Sequence, residues 1–179
     1  MIAQMILARS VDNFLTYISE LLILIYRAKP QMLRASDQKI AWDEVLGYDA
    51  MEELVAALID RRVNALTYKG LKDLAKDLEQ HIGLFSAEED LAKGAEIVEQ
   101  RNLIVRNRGI INNIVSRVSA YSDRVGQQLM LSVNEVMTKT LFLRLSALDI
   151  DRRASEKFSL ARNRIPTEEA RRTILGGWV

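Results

Sequence analysis

Arg101, Asn102 and Arg106 fall within two helical turns of each other in the stretch Glu99-Gln-Arg-Asn-Leu-Ile-Val-Arg-Asn-Arg-Gly-Ile-Ile-Asn-Asn113, and together they have the chemistry to hold a phosphate. A guanidinium presents a planar fork of donors matched to two anion oxygens and stays protonated in proteins. For the same reason it cannot serve as a general base. General acid–base catalysis needs a group that takes up and returns a proton near neutral pH, which is the range of imidazole. The lone histidine, His81, lies near the end of a different expected helix beside Gly83, where a positive group complements the helix dipole and a terminal or surface role is the simpler reading. By residue type alone, the cluster promises anion binding more than proton transfer.

The element that must position these groups is a helix. Leu91, Ala95 and Val98 mark an apolar line, and the same 4-3 spacing carries it through Asn102 to Val105. Asn102 is therefore expected on a buried seam, with Arg101 and Arg106 on either flank of it. Ser86-Ala-Glu-Glu89 is a capping box that sets the start of this helix. Asn107-Arg-Gly109 sets its end, Gly109 being free to take the left-handed conformation. Buried charge is costly unless paired, shared with a second chain or open to a charged ligand. The plain alternative is that both arginines only pair with neighbours such as Glu96 or Glu99.

The run Arg-Asn-Leu-Ile-Val-x-Asn-x-Gly, Arg101 to Gly109, resembles the signature of HEPN domains of the RiboL-PSP-HEPN or MAE_28990-like branch, which reads Arg-Asn-x-x-x-His-Asn-x-Gly. A looser likeness covers Ala8 to Leu22. The resemblance implies an all-α, HEPN-like bundle of about six helices that pairs as a homodimer. It implies a metal-independent endoribonuclease acting as a toxin or defence protein, with the Arg, the polar residue and the His of both protomers meeting in a cleft, and with an antitoxin protein as a candidate partner. Arg101 and Asn102 take the first two positions of that signature. Arg106 stands where the family has His, so RNA binding is expected to outlast cutting. Arg108, Asn112 and Arg117 are the further candidates for RNA contact; for Asn112 a cap or surface position is equally open. The alternative from the same resemblance is a non-catalytic, dimeric protein-interaction module.

Composition sets the bounds. The chain has 179 residues, 49% of them hydrophobic and 27% charged, which suits a single globular domain with a sizeable core. Only two prolines and eight glycines interrupt it, so long helices are expected. With no cysteine there is no disulfide or thiol chemistry, which fits a cytoplasmic location, and no secretory leader is expected. Residues 36–99 carry 15 acidic and 7 basic side chains, whereas residues 100–179 carry 14 basic and 7 acidic. The cluster thus opens the basic half, which suits contacts with a phosphate backbone, although a solvated helical face explains the charge as well. No zinc cluster, phosphate-binding glycine loop, nucleophile elbow or strand–helix alternation is present, and no metal or cofactor is expected.

The remaining pattern predicts the scaffold. Residues 1 to about 28 form a first helix on Met5, Val11, Phe14, Ile18, Leu22 and Ile25, and the run Leu21 to Tyr26 is apolar all round. That run is too short to span a bilayer and predicts contact with more than one neighbour, a second subunit among them. Pro30 ends this helix. Ser36 or Asp37 is expected to cap a short helix carrying Ile40, Trp42, Val45 and Leu46. Another helix opens at Asp49 with Met51, Leu54, Val55, Leu58 and Ile59 on one side, and a further one runs from Thr67 to His81 or Gly83. A long last helix is expected from about Gly126 to Arg153 through Leu129, Leu131, Val133, Val136, Met137, Leu141, Leu145 and Leu148. The expected organisation is a helical domain over residues 1–153 and a basic tail over 154–179. That tail is either a short helix from Pro166 or without order, with Ile174 and Trp178 candidates for docking on a partner.

Overall fold

Leu7, Val11, Phe14, Ile18, Leu22 and Ile25 return to one side of the chain every three or four residues, and that side is the buried face of α1 (Ile2–Ala28). The computed structural model describes residues 2–35, 40–68, 79, 88–111 and 124–160. Among them the protein is all-α, with no strand: α1 is followed by a 3-10 turn (Pro30–Ala35), α2 (Trp42–Leu46), α3 (Met51–Tyr68), α4 (Glu88–Asn107) and α5 (Val133–Phe158). No helix among the described residues is long and apolar enough to cross a membrane.

Helix α1 is the element the others pack on, meeting α3, α4 and α5. This is the outcome expected of a helix whose Leu21–Tyr26 end is apolar on nearly every side; of that run only Leu24, 52% exposed, turns outward. Its core face joins Ile59, Val63 and Leu66 of α3, Ile97 and Val98 of α4, and Val136, Leu143 and Ile150 of α5 in one cluster. Each fully buried leucine or isoleucine there contributes about 1.5–3 kcal/mol. Polar contacts set the directions. Asp12 meets Arg101 and Gln4 lies against Gly109, so α1 and α4 run antiparallel. Ser10 meets Thr140, and the Tyr17 hydroxyl donates to Asp151 at 3.0 Å, so α1 and α5 run parallel. Burial first, and then the Asp151 carboxylate, push the Tyr17 phenol well above its ordinary range.

Several expectations are corrected. Thr67 does not open a helix: it lies inside α3, where its hydroxyl bonds the Val63 carbonyl at 2.7 Å and so needs no cap position. Met5 and Met51 are exposed, and so are Trp42 and Leu46 of α2, which buries no residue. The α2 N-cap is Ala41, without a side-chain bond. Helix α5 begins at Val133 and not near Gly126, because Ser132 and Glu135 form a capping box. It continues past Arg153 to Phe158, with Ala154 and Phe158 in the core. Its buried face is Val136, Leu143 and Ile150; Val133, Met137, Leu141, Leu145 and Leu148 form a second, exposed stripe. Ser36, Asp37, His81, the Ser86 capping box, Asn112, Arg117, Pro166, Ile174 and Trp178 lie outside the described residues.

Candidate functional site

Helix α4 delivers the cluster, and two features fix how it is presented. The first is the helix end. Asn107 is the last helical residue, and Arg108 and Gly109 follow at φ 53° and 78°. The Gly109 amide donates back to the Leu103 carbonyl at 2.9 Å, six residues earlier and so one residue further than the return bond of a Schellman ending. Gly109 does adopt the left-handed conformation, but the first residue to do so is Arg108, for which that region costs about 1–2 kcal/mol. Past the turn, Ile110 and Ile111 pair with the chain at 127–129. Ile111 donates to Gln127 at 3.0 Å and Leu129 to the Gly109 carbonyl at 2.7 Å. Gln4 of α1 donates to the Leu129 carbonyl at 2.7 Å, and a Cβ on Gly109 would lie 3.1 Å from the same Gln4 amide nitrogen. The end of α4 is thereby tied to the start of α1.

The second feature is Gln100, which is fully buried. Its side-chain amide donates to Glu96 at 2.9 Å, and its carbonyl oxygen accepts from the Lys139 ammonium of α5 at 2.8 Å. Two turns earlier on α4, Lys93 stands over the Phe142 ring at 4.5 Å. These side chains tie α4 to α5, while α4 itself packs on α1.

The residue after Gln100 is Arg101, which is half-buried. Its Nε and Nη2 donate to the same Asp12 oxygen of α1 at 2.8 and 2.6 Å, and its Nη1 donates to the Asn102 side-chain oxygen at 3.1 Å. Neither Glu96 nor Glu99 is the partner. Arg101 and Asn102 are thus brought together with Asp12, an acid the sequence argument did not select. Arg106 is bonded to neither: it is exposed, about 140° around the helix from Arg101, though one turn on from Asn102 and only about 40° from it, at 100° per residue. Arg108 is exposed as well. Among the described residues neither Arg106 nor Arg108 has a hydrogen-bond or ion-pair partner. Asn102 is half-buried and Val105 is 54% exposed, so the seam inferred through both is displaced. The buried positions of α4 are instead Gly94, Ile97, Val98, Gln100 and Leu103.

Arg101 and Asp12 cancel each other's charge, so the net positive charge at this end of α4 comes from Arg106 and Arg108. The arrangement offers anchored donors beside two free guanidiniums, which suits an anion with several oxygens. Among the described residues no group of three His, Cys, Asp or Glu side chains is placed to hold a metal ion. Comparison with protein families, curated proteins and solved structures finds no match for this chain.

Proposed function

We propose that the chain binds RNA through the phosphate backbone at the C-terminal end of α4, as a HEPN-type, toxin-like protein whose cutting is impaired because Arg106 occupies the position of the family's histidine. The observation that carries this reading is the contrast within one helix end. Arg101 is fixed by Asp12 and in turn bonds Asn102, whereas Arg106 and Arg108 are exposed and without partners among the described residues. Fixed donors supply register and free cations supply attraction, which is the division of labour a phosphate backbone rewards. The left-handed Arg108 adds support: strain at an exposed, charged residue is more readily kept where the residue does something.

A second reading has its own observation. Arg101 is already neutralised inside the chain by Asp12, which is what a non-catalytic interaction module would need and what a strong anion site would avoid. The two readings part on RNA. Labelled RNA is incubated with the protein, with its Arg106→His variant and with the Arg101→Ala variant of each, without added metal and in EDTA. The proposal expects binding without cleavage by the native chain, cleavage on introducing histidine, and loss of both in the Arg101→Ala forms. If neither the native chain nor Arg106→His binds RNA, the proposal fails and the interaction-module reading stands.

A further inference from the structure

Asp12 is an acid set among the basic groups of the cluster, and only half of its carboxylate is used. Nε and Nη2 of Arg101 both donate to one oxygen, Oδ1, and among the described residues Oδ2 has no partner. Of the pair, Asp12 is the more open, its side chain 38% exposed against 24% for Arg101. Holding Arg101 needs only the first oxygen. A carboxylate at a surface that binds phosphate also repels phosphate. The second oxygen therefore weakens binding unless the ligand carries a donor for it.

Helix α1 brings a further cation to the same place. Arg9 lies one turn before Asp12, about 60° round α1 toward its exposed side, and has no hydrogen-bond or ion-pair partner among the described residues. The antiparallel register, with Asp12 beside Arg101 and Gln4 beside Gly109, sets Arg9 level with about Ile104 of α4, less than one turn from Arg106. On α4, Asn102 and Arg106 lie about 100° and 140° round from Arg101, in the same rotational sense as Arg9 from Asp12. Antiparallel helices turned in the same sense from their line of contact show one common side. Arg9, Asn102 and Arg106 thus share a surface with Asp12, and its half-used carboxylate stands between free guanidiniums.

A ribose 2′-hydroxyl is the donor that fits. A carboxylate only accepts hydrogen bonds, and within a strand the sugar–phosphate backbone of DNA has no donor to give it. RNA has one at every nucleotide, on the carbon next to the one that carries the 3′-phosphate, and this hydroxyl is the group by which a protein tells RNA from DNA. We infer that Asp12 selects RNA over DNA, its free carboxylate oxygen accepting from a 2′-hydroxyl while Arg9 and Arg106 hold the phosphates on either side. Hydrogen bonds to a charged acceptor are stronger than neutral ones. One such contact offsets the repulsion between Asp12 and the neighbouring phosphate for RNA and leaves it unopposed for DNA. The inference rests on the RNA reading of this site, to which it adds Arg9 as a phosphate contact and Asp12 as the residue that sets specificity.

The test is fluorescence anisotropy on the full chain with single strands of one base sequence free of uracil and thymine. They are RNA, DNA and 2′-O-methyl RNA, which keeps the backbone charge but has no hydroxyl to donate. The wild type is expected to bind RNA about tenfold or more tighter than either of the others, the size of one hydrogen bond to a charged group. Asp12→Ala is expected to bind DNA more tightly than the wild type does, and to bring the affinities for all strands within about threefold of one another. Arg9→Ala is expected to weaken every strand by one common factor, roughly threefold or more, and to keep the preference for RNA. Alanine is a good helix former, so circular dichroism should match the wild type, and the comparison of strands on the wild type needs no variant. A wild type that binds RNA, DNA and the methylated strand alike overturns the inference and leaves phosphate binding standing. A preference for RNA that persists in Asp12→Ala overturns it by placing recognition of the hydroxyl elsewhere. If no strand binds at all, the RNA reading itself fails and this inference with it.

Discussion

Arg108 combines two demands that a single substitution can separate. Its left-handed backbone, φ 53°, favours glycine, while its exposed guanidinium is one of the two free cations at the end of α4. Arg108→Gly relieves the strain, offset in part by the greater freedom of glycine in the unfolded chain, for a net gain of about 0.5–1 kcal/mol. Under the proposed function the same change removes a phosphate contact. Denaturant unfolding is therefore expected to show a more stable protein, and RNA titration a weaker binder. A variant that is less stable, or that binds RNA unchanged, contradicts the role assigned to this residue. The neighbouring Arg101 shows what residue types reveal and what they hide. Its identity and spacing mark it as an anion ligand, but its partner Asp12 is 89 residues away in sequence, and no local pattern joins the two. Gln100 was hidden more completely, because a glutamine gives no sign of a buried seam until Lys139 is seen across from it.

Helix α5 makes the corresponding point for elements. Its start is held by a reciprocal cap: the Glu135 amide donates to the Ser132 hydroxyl at 3.2 Å, and the Ser132 amide and hydroxyl donate back to the Glu135 carboxylate at 2.7 and 2.8 Å. These donors hold the Glu135 carboxyl below its ordinary value. A carboxyl so lowered stabilises the fold above its ordinary pKa of 4.5, and the contribution disappears as pH falls through the lowered value. Ser132→Ala is expected to cost about 1 kcal/mol at neutral pH. The gap between variant and wild type should narrow in acid below that range; a constant gap would show that the carboxylate takes no part. This Ser-x-x-Glu was readable in the sequence, yet Leu129 and Leu131 invited an earlier helix start. Those residues instead belong to an extended stretch that pairs with the turn after Gly109, a non-local contact that periodicity does not register. The second apolar stripe of α5 misled in a different way. Met137, Leu141, Leu145 and Leu148 repeat as regularly as the true core positions, and spacing cannot tell a face that meets the chain's own core from one left exposed.

For the molecule as a whole, the all-α class, the long first helix and the helix ending near Gly109 were legible because each rests on local periodicity or on a residue that stops a helix. The centre of the fold was not: α1, at the amino terminus, gathers α3, α4 and α5, and the charged cluster is positioned by what packs on it. The charge asymmetry of the chain belongs to this scale too. The basic second half begins at the cluster, so attraction to a polyanion should be steered to that end and screened by salt. The most direct test of the phosphate-binding claim is the affinity for a single-stranded RNA measured across a salt series, wild type against Arg106→Ala, since Arg101 is already neutralised by Asp12. Log affinity is expected to fall linearly with log salt, and Arg106→Ala to weaken binding and lower the slope by roughly 0.7–1, the loss of about one phosphate contact. Binding that ignores salt, or a slope that Arg106→Ala leaves unchanged, would contradict the claim.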